Sequence, residues 1–350
     1  MGPGVLSDSE TSNPFFEQSG FITLTVRADR VFTGRLLLQG KTHSFSCRFE
    51  PDGRGYVIIP RKGQADLAIW LRKDVPAPGV ISGRVISGGM QLSLEALQAG
   101  YGGKHSPPHP MEGRHTSMLP APDSSLGNGY AAQSVNDEGC CKLVGKLADG
   151  TKVTASAYLV DPGGDAWQLP VHAFAYVKSS GLLWGNMLFQ KIVSDETSDI
   201  AGELEWFRPD NAKLGHAGFL KTVQPAGKRY LPPDKGISFL GGTPNPAEFL
   251  LAFGSDLHGT PGIWPPTNKP LLIGPLPGNL KFIALTGVVR GSLTELVEGK
   301  PVAKPYEGVV FTHPLLIPGG ATPLRGAGFS AKGSSSVTVE IRHAELAMEL

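Results

Sequence analysis

The sequence predicts an all-β protein, made of tandem small antiparallel six-stranded meander barrels and a third, irregular β-unit. Glycine (46 residues) and proline (30 residues) together form about a fifth of the 350-residue chain, well above the usual share. Charged residues are only 18%, which is low for a soluble protein. Short runs of alternating apolar and polar residues, separated by turn residues, fill most of the chain, which is the pattern of half-buried strands.

An internal repeat is the second basis of this prediction. Equivalent residues recur at an offset of 110 or 111 positions: Gly34 and Gly145, Gly40 and Gly150, Ser46 and Ser156, Pro60 and Pro170. A weaker third copy begins near Gly287 and continues through Gly299 and Lys300. Because repeats of this length are units of architecture, the first two copies are predicted to be structural equivalents.

Each of the first two copies divides into six predicted strands. In the second copy they cover 129–136, 140–148, 151–160, 166–177, 181–191 and 199–207. In the first copy they cover 21–27, 30–39, 41–50, 54–60, 65–73 and 79–86. The connector Asp149-Gly150 is a strong hairpin signal, because type I′ turns need positive φ at their central positions. Closing six such strands into a barrel removes exposed sheet edges.

The predicted domains follow from these strands. Barrel repeat 1 covers 15–98, a Gly/Pro/His-rich linker covers 99–125, barrel repeat 2 covers 126–235, and a divergent β-unit covers 237–350. The residues predicted to form the core of the second barrel are apolar and lie at alternating strand positions: Val144, Leu147, Val153, Leu159, Leu169, Leu183, Leu188, Ile200 and Leu204.

Several of these motifs resemble a repeated β-module found near the C-termini of large exported bacterial proteins. The resemblance is carried by 145–153, 167–170, 181–185 and 202–206, with 58–63 and 326–329 fitting the same pattern. The family has no established activity. The resemblance therefore implies an extracellular or cell-surface location and a structural or adhesive role, without catalytic residues.

Charge and composition limit the partners. Thirty-two basic and 31 acidic residues leave a formal charge of +1, which gives no electrostatic footprint for nucleic acid. No apolar stretch is long enough for a transmembrane helix. Residues 1–19 are polar and acidic and lack the basic and apolar regions of a signal peptide, so a cytoplasmic location stays open. The three cysteines cannot build a disulfide framework.

Histidines offer a weak candidate metal site. His105 and His109 are separated by Ser-Pro-Pro, and His115 follows. Such spacings can converge on zinc, but the two prolines exclude a helix, and a solvated His-rich loop is the favoured interpretation. No metal and no cofactor are predicted.

Catalytic motifs give no positive signal. The chain contains neither a Gly-x-Ser-x-Gly elbow nor a His-Glu-x-x-His pair. Gly40-Lys41-Thr42 ends like a phosphate loop but joins two predicted strands, so it is interpreted as a hairpin turn. The sequence therefore predicts a protein that is not an enzyme.

Tryptophans are the weak candidates for ligand binding, because carbohydrate-binding β-modules stack sugars on exposed rings. Trp184 and Trp206 lie near mid-strand glycines and are interpreted mainly as core, whereas Trp167 has the strand-face parity of an exposed ring. The predicted function is a structural, spacer or adhesion module of an exported or cell-surface protein. The alternative is a carbohydrate- or small-ligand-binding β-module, and a glycan or a surface protein is the possible partner.

Overall fold

The chain folds into β-strands throughout the part that the structure describes. A computed structural model describes residues 3–7, 19–101, 107–121, 127–162, 166–176, 180–190, 199–210, 217–253, 256–274, 277–297, 299–315, 324–332 and 335–343. These residues form 25 strands in three antiparallel sheets and contain no α-helix.

The first sheet is formed by the N-terminal eight strands. They are β1 (Pro3–Ser7), β2 (Gly20–Val26), β3 (Val31–Leu38), β4 (Lys41–Arg48), β5 (Arg54–Ile59), β6 (Leu67–Lys73), β7 (Val80–Ser87) and β8 (Met90–Leu97). Their order is β4-β3-β2-β1-β8-β7-β6-β5, so the first and last strands of the unit are paired and β4 and β5 are the ends of the path. This is an up-and-down barrel that opens between β4 and β5.

The second sheet repeats this order. Its strands are β9 (Gly113–Leu119), β10 (Gly129–Val135), β11 (Cys140–Lys146), β12 (Lys152–Tyr158), β13 (Ala166–Ala175), β14 (Gly181–Gln190), β15 (Ile200–Arg208), β16 (Phe219–Val223) and β17 (Ala226–Tyr230). The order is β12-β11-β10-β9-β17-β15-β14-β13, with β16 added beside β15. A bridge between Val160 and Gln168 joins the two ends of this path.

The third sheet has the same kind of path. Its strands are β18 (Ala247–Phe253), β19 (Asp256–Trp264), β20 (Leu271–Leu272), β21 (Gly278–Ile283), β22 (Val288–Val297), β23 (Lys300–Leu315), β24 (Leu324–Lys332) and β25 (Ser335–His343). The order is β20-β19-β18-β25-β24-β23-β22-β21. Two register shifts interrupt its ladders, at Leu251/Phe253 and at Val310/Leu315, as bulges do.

The prediction of an all-β chain built from tandem antiparallel barrels is confirmed. The strand number differs, since the first two paths contain eight strands where six were predicted. The strands that close each path are the additional ones, and β9 lies inside the segment 99–125 that was predicted to be a linker. Barrel closure requires pairing between strands that are far apart in sequence, and a local sequence pattern cannot predict such pairing. The domain boundaries themselves stay a prediction.

Equivalent glycines occupy equivalent strands in the first two sheets. Gly34 lies in β3 and Gly145 lies in β11, each the third strand of its unit. A Cβ atom on Gly34 would lie 2.3 Å from the ring of Phe45, and one on Gly145 would lie 2.1 Å from the carbonyl oxygen of Tyr130. Both glycines therefore permit a close approach that any side chain would prevent.

The core of the second barrel follows strand alternation. Seven of the nine residues predicted for it are buried in one cluster: Leu147, Val153, Leu159, Leu169, Leu183, Ile200 and Leu204. The other two predictions are wrong. Val144 is 47% exposed because the inward positions of β11 are those of Cys141, Leu143 and Gly145, and Leu188 is only half-buried.

The second and third sheets share packed surface. A cluster of buried side chains combines Met118 and Tyr130 of the second sheet with Val309 and Phe311 of the third. The Glu307 carboxylate of β23 accepts hydrogen bonds from the Tyr130 hydroxyl and from the Lys146 ammonium group. The second barrel and the third sheet are therefore held together by apolar contact and by a partly buried ion pair.

Candidate functional site

The three tryptophans that the sequence singled out lie in the second barrel and do not form one surface. Trp184 is 5% exposed and Trp206 is 1% exposed. Trp167 is half-buried and packs against the second core, with the ring of His109 5.5 Å away. Their role in ligand binding stays a prediction.

Trp206 is anchored by hydrogen bonds as well as by packing. Its Nε1 donates to the Tyr176 hydroxyl at 2.9 Å, and that hydroxyl donates to Asp149 Oδ2 at 2.6 Å. Burial, followed by the nearby Asp149 charge, raises the pKa of Tyr176 far above its usual range. The chain of bonds satisfies the polar edge of a large buried ring, as buried tryptophans require.

Two of the three histidines that are weak candidates for a metal site bond to the backbone. His105 lies outside the described residues. His109 and His115 are both buried and bond to the backbone of Met111, through the Met111 N–H and the Met111 carbonyl respectively. Burial lowers the pKa of each to about 4. Within the described part of the chain, no three His, Cys, Asp or Glu side chains are grouped as a metal site.

The exposed aromatic surface lies in the first barrel. Tyr56 of β5 and Trp70 of β6 are directly opposite each other in the antiparallel ladder and point outward. Their rings are 4.1 Å apart between centroids and tilted by 37°, and the two residues are 41% and 43% exposed. Rings this close cover part of each other's faces, and the remaining ring surface of both is exposed to solvent.

The arrangement follows from alternation along β6. Leu67, Ile69 and Leu71 point into the first core, so Trp70 must point outward. The same alternation was readable in the sequence, and it is the signal that would have found Trp70. Its neighbour Tyr56 could not be found in this way, because its pairing with Trp70 depends on the register of β5 against β6.

Arginines surround the aromatic pair. The Arg84 guanidinium carbon is 5.6 Å from the centre of the Trp70 ring, and Arg84 is opposite Trp70 in the ladder between β6 and β7. Arg54 and Arg72 form the next row of the same outer face. The site is an open groove of about 630 Å³, lined by Cys47, Arg48, Glu50, Arg54, Gly55, Tyr56, Trp70, Leu71, Arg72, Ser82, Gly83 and Arg84.

A second groove lies between the first and second barrels. It has a volume of about 790 Å³ and is lined mainly by hydroxyl groups of β2 to β4, with Cys140, Ser156 and Tyr158 on the facing strands β11 and β12. Nearby, the ring of Phe21 stacks on the buried ring of His172 at 5.9 Å. This groove lacks an exposed aromatic pair, and the groove on β5 to β7 is the stronger candidate for binding.

The lining of the β5–β7 groove is aromatic and basic. Its only acidic lining residue is Glu50, and its only thiol is Cys47, whose Sγ lies 3.1 Å from the Tyr56 carbonyl oxygen. Aromatic faces and guanidinium groups bind rings and anions, and this lining contains no histidine that could act as a general base.

Comparisons with known proteins give structural neighbours only. No protein-family model and no curated protein matches the chain. One solved structure is a candidate outer membrane protein from Bacteroides fragilis NCTC 9343, at 9% identity and a TM-score of 0.20, over 65% of this chain and 95% of that one.

Two further solved structures are forms of transferrin binding protein B. A double mutant from Haemophilus parasuis Hp5 is 9% identical, with a TM-score of 0.21, over 97% of this chain and 74% of its own. The isotype 1 protein from serogroup B Neisseria meningitidis is 8% identical, with a TM-score of 0.24, over 96% and 68%. TM-scores this low support no inference about function.

The described part of the chain contains no helix with the length and apolar character needed to cross a membrane.

Proposed function

We propose that this chain is a non-enzymatic adhesion module of an exported or cell-surface protein, and that its first barrel binds carbohydrate on the outer face of β5 to β7. The observation that carries the proposal is the exposed, tilted ring pair of Tyr56 and Trp70 inside an open groove. The motif resemblance to β-modules of exported bacterial proteins supports the location.

The exposure of the aromatic pair favours a binding role. An aromatic ring that is left in water forgoes the free energy of burial, about 25 cal/mol per Å² of apolar surface. The opposite face of the same strand is packed with Leu67, Ile69 and Leu71, which are 0 to 3% exposed. The barrel therefore has a complete core without Trp70, and the part of the ring that Tyr56 and Arg84 do not cover is available to a ligand.

Carbohydrate suits this aromatic pair better than a purely apolar ligand. One face of a pyranose ring presents C–H groups that can lie flat on an aromatic ring, while the hydroxyls around it form hydrogen bonds. The groove provides both, since the polar groups of Arg72, Ser82 and Arg84 line the same surface as the aromatic pair. Its volume of about 630 Å³ also lies within the usual range of ligand sites.

A spacer role of the second and third barrels is compatible with this proposal. The shared apolar cluster and the contact of Lys146 with Glu307 join these barrels into one packed unit. Such a unit would hold the binding face of the first barrel away from the surface to which the protein is attached.

A screen of the full chain against immobilised polysaccharides tests the proposal. We expect binding of at least one polysaccharide, and we expect Trp70→Ala to weaken it at least about tenfold, the loss typical of an aromatic anchor. The matched control is Leu271→Ala, which removes a similarly exposed apolar side chain (61% exposed) from the third sheet. This control should leave binding unchanged.

Two results would refute the proposal. One is the absence of binding to every polysaccharide in the screen. The other is binding that Trp70→Ala and Leu271→Ala reduce equally. Labelling of intact cells with an antibody against the folded chain tests the proposed location, and labelling only after permeabilisation would contradict it.

A further inference from the structure

We infer that the carbohydrate recognised on β5 to β7 is an acidic polysaccharide, whose anionic groups lie against Arg72 and Arg84 while a sugar ring packs on the exposed surface of the Tyr56 and Trp70 pair. This inference rests on the proposed function and adds the chemical class of the ligand. Two observations carry the inference. The first is the position of the arginines in the ladders, and the second is that Arg72 and Arg84 have no acidic partner among the described residues.

The ladders place the arginines beside the aromatic pair. Tyr56, Trp70 and Arg84 are successive partners across β5, β6 and β7, and form one row on the outer face. Arg54 and Arg72 form the neighbouring row. Residues two positions apart on adjacent strands are within reach of long side chains, so both rows can contact one ligand.

Like charges oppose each other in this arrangement. Arg54 and Arg72 are direct partners in the antiparallel ladder, and both are exposed on the same face. Like charges directly opposite each other destabilise a sheet. Asp52 is an ion-pair partner for Arg54 but not for Arg72, so an anion bound beside Arg72 would offset the remaining repulsion.

Few acidic groups neutralise these arginines. Arg54 pairs with Asp52 at 3.2 Å, but Arg72 and Arg84 form no ion pair with any acidic residue in the described ranges. Four arginines line the groove against the single carboxylate of Glu50. Guanidinium groups bind carboxylates and sulfates in a fixed geometry, which suits them to an anionic sugar.

The positive charge is local to the groove. Residues 3–98, which contain β1 to β8, have eleven basic and nine acidic residues, so the first barrel as a whole is close to neutral. In the groove itself, four arginines line the surface with one carboxylate. Such a local concentration of positive charge attracts an anionic polymer and makes its binding dependent on salt.

Single-stranded nucleic acid combines the same two chemistries, aromatic stacking and phosphate binding. The groove favours a polysaccharide, because its exposed aromatics are one adjacent pair and not a track along which successive bases could stack. Binding of an oligonucleotide is included as an outcome of the test.

Calorimetric titration of the full chain with matched polymers tests the inference. Polygalacturonate and its methyl ester share rings and linkage and differ in charge, as do dextran sulfate and dextran. The first pair tests a carboxylate and the second a sulfate, and oligothymidylate is the nucleic-acid probe. Each titration is repeated at about 0.05 M and about 0.5 M NaCl, which span weak and strong screening.

Variants that each remove one positive charge test which residues contact the polymer. Arg72→Gln and Arg84→Gln remove one positive charge each from the groove. Arg35→Gln removes the same charge from an exposed position of β3, outside this groove, and is the matched control. Circular dichroism of each variant checks that the barrels remain folded.

We expect at least one acidic polymer to bind about tenfold or more tightly than its neutral partner, and to weaken at high salt. Arg72→Gln and Arg84→Gln should each reduce that affinity about tenfold, as the loss of a charged hydrogen bond does, and Arg35→Gln should not.

Equal, Trp70-dependent binding of acidic and neutral polymers would overturn the inference and leave the proposed function standing. Binding of an acidic polymer that neither Arg72→Gln nor Arg84→Gln weakens would also overturn the inference. Binding of oligothymidylate without binding of any polysaccharide would overturn both the inference and the proposed function.

Discussion

Acidification should destabilise the second barrel through the buried imidazole of His115. This side chain is 1% exposed on β9, where its ring packs edge-on against Phe189 at 5.2 Å. Its Nε2 donates to the Met111 carbonyl at 3.0 Å, and its Nδ1 has no hydrogen-bond partner among the described residues. Protonation would add a charge and an unpaired N–H to this apolar environment.

The expected magnitude follows from the two pKa values. Burial, opposed by the Met111 carbonyl and aided by the Arg229 charge, lowers the pKa of His115 from 6.5 to about 4. Between these values the unfolded state binds more protons, so the free energy of unfolding falls as the pH falls. His115 has almost no effect above pH 7, removes about 2 kcal/mol at pH 5, and removes about 3 kcal/mol once it is fully protonated.

Urea unfolding at pH 7.5 and pH 5, followed by tryptophan fluorescence, measures this effect. Trp206 lies in the same core as the His115 contacts and reports on the second barrel. In His115→Gln, the amide can still donate to Met111 but does not titrate. The loss of stability between the two pH values should therefore be about 2 kcal/mol smaller than in the unaltered chain.

His172→Gln provides an independent comparison. His172 is also buried, and burial lowers its pKa to about 4 as well. An equal pH dependence in the unaltered chain and in both variants would refute the reasoning that neutral, desolvated histidines cause the acid sensitivity.

Three further predictions concern strand faces and close contacts, each measured as a change in the free energy of unfolding. Leu143→Ala should lower the free energy of unfolding by about 2–5 kcal/mol, because the substitution opens a cavity. Val144→Ala, one position along β11, should change this free energy by less than about 0.5 kcal/mol. Similar losses in the two variants would contradict the observed face assignment. Gly145→Ala should lower this free energy by about 1–3 kcal/mol or more, because the new Cβ would meet a carbonyl oxygen at 2.1 Å, and an unchanged value would show that the strands can separate freely. Glu307→Ala should lower it by about 1–3 kcal/mol, because it leaves the Lys146 ammonium group partly buried and unpaired and removes the acceptor of the Tyr130 hydroxyl. A double variant with Lys146→Ala should lose less than the sum of the two single variants, and strictly additive losses would contradict this pairing.

Glu307 also illustrates why charges between barrels escape a sequence argument. Partial burial alone would raise the pKa of its carboxyl group, but hydrogen bonds from Lys146 and Tyr130 and the charge of Arg290 lower the pKa below its usual range. Lys146 lies 161 positions earlier in the chain. No local spacing connects the two residues, because the contact exists only when the second and third barrels pack.

The tryptophans show what strand position predicts. Trp184 and Trp206, near mid-strand glycines, are interpreted from the sequence mainly as core, and both are buried. Trp167, which strand parity makes the more exposed of the three, is half-buried. The alternation of Leu67, Ile69 and Leu71 indicates that Trp70 points outward, but its pairing with Tyr56 depends on the register of β5 against β6.

Local pattern determined the strands, the turns and most of the second core, because inward and outward positions alternate along each strand with a period of two. Val144 shows the limit of that rule, because the pairing of β11 with β10 and β12 decides which set of alternating residues faces the core. Closure of each barrel and the row of Tyr56, Trp70 and Arg84 were decided by tertiary structure. The physical reason is that both depend on which strands pair and in what register, and the free energy of that pairing comes from contacts between residues distant in sequence.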